Sequence, residues 1–95
     1  MTMEKKYRLL KDDTIIVGDK TLYRIEALRD FADVKKGDKG GYIEKEENLS
    51  QEDNCWVSDN AWVCDNARVR GNICVCSNAW VCSNAQLVGG LIKTI

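Results

Sequence analysis

Asparagine recurs at every sixth position through the second half of this 95-residue chain, at Asn48, Asn54, Asn60, Asn66, Asn72, Asn78 and Asn84. Self-similarity at a short fixed period marks a repeat architecture and constrains the fold more than any single residue can. Three positions after each of the last six asparagines comes an aliphatic residue: Val57, Val63, Val69, Val75, Val81 and Leu87. One position after the asparagine stands a mostly small residue: Leu49, Cys55, Ala61, Ala67, Ile73, Ala79 and Ala85. The position before it, from the second unit on, holds Asp53, Asp59, Asp65, Gly71, Ser77 or Ser83. A six-residue period does not fit a helix, whose faces repeat near 3.6 or 7 residues. The small and aliphatic positions are two apart, so on an extended segment they point to the same side. Gly, Asn, Asp and Ser tolerate the left-handed backbone of a sharp corner. Each unit is therefore a short strand followed by a corner, and such units wind into a parallel β-helix.

Units such as Asn60-Ala-Trp-Val-Cys-Asp65 and Asn78-Ala-Trp-Val-Cys-Ser83 resemble the hexapeptide repeat of left-handed parallel β-helices. The resemblance implies three hexapeptides per triangular coil and hence two to three coils. The stretch from Tyr23 to Ser50, running into the repeats, resembles small hexapeptide-repeat proteins of bacteriophages and prophages. Such proteins often carry a transferase label inherited from the repeat alone. The expected fold class is all-β, a left-handed parallel β-helix capped by an N-terminal β-hairpin. Residues 1–47 form the cap and an acidic connector, 48–89 the repeats, and 90–95 a tail strand. Within the cap, Tyr7–Leu10, Thr14–Val17 and Thr21–Leu28 read as strands, Gly18-Asp-Lys20 as a hairpin turn, and the glycines of Val34–Ile43 as a tight loop.

Composition sets further limits. The net charge is −1, which gives no bulk attraction to nucleic acid. No long apolar run or signal peptide is evident, so membrane insertion and secretion are not expected, and five cysteines in such a chain read as reduced thiols in a cytoplasm, which the resemblance to phage proteins implies is that of a bacterial host. Of 14 basic and 15 acidic side chains, residues 54–95 keep only Asp59, Asp65, Arg68, Arg70 and Lys93. A sparsely charged repeat surface that cannot hide its outward positions suggests contact with protein.

With 18 residues per coil, Trp62 stacks on Trp80, Cys64 on Cys82, Trp56 beneath Cys74, Arg68 beneath Gln86 and Arg70 beneath Val88, at about 4.8 Å spacing. Trp62, Trp80, Cys64 and Cys82 then share one outward face, Arg68 and Arg70 the next, and Trp56, Ser58, Cys74 and Cys76 the third. Exposed aromatic patches mark interaction sites. The candidate partner-binding residues are accordingly Trp56, Trp62, Trp80, Cys64, Cys82, Arg68 and Arg70. Leu87, Leu91, Ile92 and Ile95 are the candidates for a homodimer contact at an uncapped last coil. In-register thiols aim their Cβ atoms alike, so a Cys64–Cys82 disulfide is not expected. Zinc is not expected either, because the outward thiols divide between two faces and the chain has no histidine.

The enzymes that this repeat resembles are acyltransferases with a histidine base, or γ-class carbonic anhydrases with three zinc-binding histidines. General-base work near neutral pH falls most readily to imidazole. Without one, the chain reads as a non-enzymatic, cofactor-free protein-binding module whose partners are itself and a host protein. An inhibitor of a host bacterial defence protein is the first expectation. A self-assembling structural or accessory β-helix protein is the second, and an acyltransferase-like hexapeptide protein the third.

Overall fold

The computed structural model describes residues 5–88. Leu91, Ile92 and Ile95 lie outside the described residues. Among the described residues nine strands follow one another: β1 (Tyr7–Val17), β2 (Lys20–Ala27), β3 (Lys39–Ile43), β4 (Trp56–Val57), β5 (Trp62–Val63), β6 (Arg68–Arg70), β7 (Cys74–Val75), β8 (Trp80–Val81) and β9 (Gln86–Val88). A single 3-10 turn at Glu46–Asn48 is the one helical element among the described residues, so the fold is all-β.

The short strands pair in parallel with partners 18 residues on. Trp56 faces Cys74, Trp62 faces Trp80, and Arg68 faces Gln86 with Arg70 beside Val88, in the register expected from the repeat. The aliphatic position of each unit points inward. Val57, Val63 and Val69 are at most 1% exposed, and Cys55, Ala61 and Ala67 fill the small slots beside them. From Asn60 on, the residue before each asparagine supplies the corner: Asp59, Asp65, Gly71, Ser77 and Ser83 all take a positive φ. A second ladder, not foreseen, ties corner to corner. Asp53, Asp59 and Asp65 accept the N–H of Gly71, Ser77 and Ser83, each 18 residues on, at 2.9–3.2 Å. An acidic side chain on one rung thereby satisfies the backbone donor that the corner above leaves unpaired.

The first unit departs from the pattern. Leu49 lies beside Val69 rather than Ala67, so the rung beneath is offset by 20 residues rather than 18. The two additional residues fall between Leu49 and Trp56. Asn48 is consequently no corner residue: it is fully buried, accepts the N–H of Glu44 and Lys45, and donates to the carbonyls of Asp65 and Ala67. The sequence period and the structural register part at this residue, although its spacing is unbroken.

The N-terminal segment does not merely sit on the end of the repeats. β1 and β2 form an antiparallel hairpin turning at Gly18, β2 pairs antiparallel with β3, and β3 pairs in parallel with β5, giving one mixed sheet in the order β1-β2-β3-β5-β8. β1 runs unbroken from Tyr7 to Val17, with an irregularity between Leu10 and Thr14 where the sequence suggested two strands. Gly40 and Gly41, read from sequence as loop residues, belong to β3 and pass against the backbone of Val57 and Ala61. Glycine is required there for close approach.

Lys6 and Tyr7 seal the interior at the cap end. The Lys6 ammonium is fully buried, donates to the carbonyls of Asp53 and Cys55 at 2.7 Å, and lies 5.0 Å from the Phe31 ring. Burial holds its pKa below the usual lysine range. Tyr7 donates its hydroxyl to the carbonyls of Glu46 and Leu49, and burial, reinforced by the Glu46 charge, pushes its phenol well above 10. A raised folded-state pKa means that the unfolded chain loses this proton first, so the Tyr7 contribution is intact below about pH 10 and declines above it. Tyr7→Phe is expected to cost about 1–2 kcal/mol at neutral pH. The gap to wild type should narrow as pH rises beyond 10 in urea titrations; a constant gap would contradict the assignment.

Candidate functional site

The mixed sheet turns one column of side chains outward. Arg24 pairs with Tyr42 across β2 and β3, Tyr42 with Trp62 across β3 and β5, and Trp62 with Trp80 across β5 and β8. The Arg24 guanidinium lies 4.5 Å from the Tyr42 ring centroid. The indoles of Trp62 and Trp80 stack at 4.7 Å with an 8° interplanar angle. Exposure increases along the column: Tyr42 is buried, Trp62 half-buried, and Trp80 67% exposed. Only Ile16 among the large apolar side chains of the described residues is comparably open. Arg24 and Tyr42 were missed in sequence, although a signal existed: Tyr42-Ile43 repeats the aromatic–aliphatic order of Trp62-Val63 and Trp80-Val81.

Beside this column the hairpin tip folds onto the sheet. Leu22, Tyr42 and Cys64 form a small second core, packed by Ile15, Val17, Trp62 and Cys82. Cys64 is therefore buried, where the sequence placed it on an open face. Its thiol is also not free: Cys64 and Cys82 are joined as a disulfide. The expectation of unpaired reduced thiols fails here because the rung spacing of 4.9 Å between Cα atoms lies within disulfide reach, and rotation about χ1 turns the two sulfurs toward each other although the Cβ vectors stay parallel. The link joins residues 18 apart in sequence, a constraint on the unfolded state of about 3 kcal/mol. Lys20, at the hairpin tip, reaches the adjacent corner and places its ammonium 2.9 Å from the Asp65 carboxylate. That hydrogen bond holds the Asp65 pKa below its ordinary value. Cys64, Asp65 and Cys82 converge to within 4.8 Å, the spacing of metal ligands. With the sulfurs bonded to each other and the carboxylate taken by Lys20, this trio presents no thiolate to a metal.

Trp56 is the second correction. It points outward from its strand as expected but is only 5% exposed, because the segment after β2 lies over it. Phe31 meets its indole edge-on at 5.2 Å and Tyr7 at 6.4 Å. Next to it a groove of about 280 Å³ runs between Ala32, Asp33 and Val34 on one side and Asn72, Ile73 and Cys74 on the other. Arg68 and Arg70 are exposed on the remaining face, with Arg70 3.5 Å from the Gln86 side chain. They stand apart from the Trp62–Trp80 column, on a different sheet.

Of the remaining thiols, Cys55 is buried against Lys6, while Cys74 and Cys76 are exposed. Burial pushes the Cys55 thiol up despite the nearby ammonium. Leu87 is half-buried, and Ala79 and Ala85 on the same last coil are more open than their counterparts Ala61 and Ala67. No helix among the described residues is long and apolar enough to cross a membrane. No family model matches this chain, and no curated protein matches it.

Proposed function

We propose that this chain is a left-handed parallel β-helix of two to three coils that acts as a non-enzymatic protein-binding module of phage type. The 18-residue parallel register and the corners at Asp59, Asp65, Gly71, Ser77 and Ser83 support the winding. The observation that carries the binding reading is the Trp80 indole, 67% exposed and held flat by Trp62. An indole fixed by stacking loses little freedom when a partner covers it, and tryptophan is the residue most enriched at energetic centres of protein interfaces. Tyr42 and Arg24 extend the support behind it, so the platform is rigid rather than a loose side chain. The partner class is a host protein, and an inhibitor of a bacterial defence protein is the reading that the resemblance to phage proteins favours.

Self-association is the second reading, favoured by a separate observation. Ala79, Ala85 and Leu87 on the last described coil are less covered than the corresponding positions below them, and the strand edges of an end coil invite pairing. A homodimer through that coil leaves the Trp80 face available to another protein.

The test uses the full-length tagged chain in bacterial lysate, with light scattering of the purified protein alongside. The expected result is a host protein retained in fixed ratio by the wild type and by Ile16→Ala, with retention reduced at least about 30-fold by Trp80→Ala, a hot-spot loss of about 2 kcal/mol. Light scattering is expected to give a dimer mass for wild type and Trp80→Ala alike. Retention unaffected by Trp80→Ala would overturn the binding face, and a monomer mass would overturn the dimer.

A further inference from the structure

We propose that Cys74 and Cys76 form a chelating dithiol for a soft, two-coordinate metal ion of the copper(I) and silver(I) class. Burial alternates across Cys74, Val75 and Cys76 as exposed, buried, exposed. Val75 enters the core and both sulfurs stand on the outer side of the strand, two residues apart, roughly 6.6 Å between Cα atoms. Alternate side chains of an extended segment point to the same side, which sets the two exposed thiols next to each other on one surface. Ser58 on the coil below places its hydroxyl 3.6 Å from the Cys74 sulfur, and the Asp59 carboxylate adds negative charge nearby.

The rest of the cysteine inventory separates this pair from the others. Cys64 and Cys82 satisfy each other as a disulfide, and Cys55 is buried against Lys6. Cys74 stacks on Trp56, and Cys76, by the same 18-residue register, on Ser58. Neither exposed thiol has a cross-rung sulfur to pair with, so both stay available.

Ligand number and softness select the ion. Thiolates favour soft ions. Zinc in a structural site takes four ligands, and here two sulfurs and a hydroxyl converge without histidine. An ion content with two sulfur ligands matches the site instead. Binding is a proton exchange without redox change: two thiols and one monovalent cation give a dithiolate complex of net charge −1 and two protons. The site is independent of the Trp80 face, which lies on another sheet.

Silver(I) serves as a probe that needs no reductant, so the Cys64–Cys82 disulfide stays closed during the measurement. Native mass spectrometry and competition titration of the full chain are expected to show one silver ion per chain. Cys74→Ser and Cys76→Ser should each weaken binding at least about 100-fold, because the second sulfur of a chelate binds at the high effective concentration of an intramolecular contact. The double variant Cys64→Ser/Cys82→Ser should keep wild-type affinity. Both single substitutions fall on exposed positions, and circular dichroism will verify that they fold. Wild-type affinity in either single variant would overturn the chelate. Loss of binding in the Cys64/Cys82 double variant, or one ion bridging two chains, would also overturn it.

Discussion

Val63→Asp is expected to leave no cooperative folding transition at 25 °C. Val63 stands in the middle of the Ile43–Val63–Val81 column, fully buried, with Ala61 and Ala67 on either side in the core. A carboxylate there meets no cation and no donor that the backbone ladder can spare. Leaving an uncompensated charge inside costs about 3–5 kcal/mol even after partial relaxation. Native domains hold only about 5–15 kcal/mol in total, and a 95-residue chain sits toward the lower end. Val81→Asp should be milder, since Val81 is 9% exposed on the last described coil and a carboxylate there can lean toward water. Arg68→Asp is the control: it brings the same charge to an exposed outward position and should leave the melting curve close to wild type. Far-ultraviolet circular dichroism with urea titration reads all three. A cooperative Val63→Asp protein would show that the aliphatic position of the repeat does not face the core.

The repeat half was legible because its determinants are local. A corner requires a residue that accepts positive φ, and the sequence supplies Asp, Gly or Ser at each such position. A core slot requires an aliphatic residue two positions after a small one, and the two periods together fix both the register and the Trp62–Trp80 stack. The exposure of individual side chains was less legible, because it depends on what the N-terminal segment covers. Nothing near Trp56 in sequence announces that Phe31 will cover it, and nothing near Cys64 announces Leu22. Both contacts join residues more than twenty positions apart, across a hairpin whose docking direction leaves no periodic trace. Asn48 shows the converse error. Its spacing is faultless, yet the offset between Leu49 and Val69 moves it out of the corner and into the core. Period detects a repeat but not the insertion of two residues between units, since the next asparagine re-enters the frame. Lys6 was invisible for a third reason. A lysine reads as surface until the carbonyls of Asp53 and Cys55 and the Phe31 ring gather around its ammonium.

The junction between the cap and the repeats rests on two glycines, and Gly41→Ala is expected to break it. A methyl group at Gly41 would stand 2.7 Å from Val57 Cγ1 and closer still to the carbonyl oxygen of Ala61, with the Ser58 carbonyl 3.3 Å away. Two of these neighbours are backbone and cannot swing aside as a flexible side chain would. The Ala61 carbonyl is also the acceptor for the Tyr42 N–H at 3.0 Å, one of the hydrogen bonds that docks β3 onto β5. Relieving the clash therefore means moving β3 away from β5 and losing that bond. Overpacking of this kind typically costs 1–3 kcal/mol, and the absence of a yielding side chain places Gly41→Ala at about 3 kcal/mol or more. Gly18→Ala is the informative comparison. Gly18 has open space around it and a φ of +63°, so alanine there incurs only the left-handed backbone penalty, about 1–2 kcal/mol. The two variants should differ in kind as well as size. Gly18→Ala should lower the urea midpoint with the dependence on denaturant unchanged. Gly41→Ala should also expose the Tyr42–Trp62 column to solvent, shifting tryptophan fluorescence to the red before the main transition. Equal destabilisation by the two substitutions, with no early fluorescence change, would mean that β3 is not the strand that couples the hairpin to the repeats.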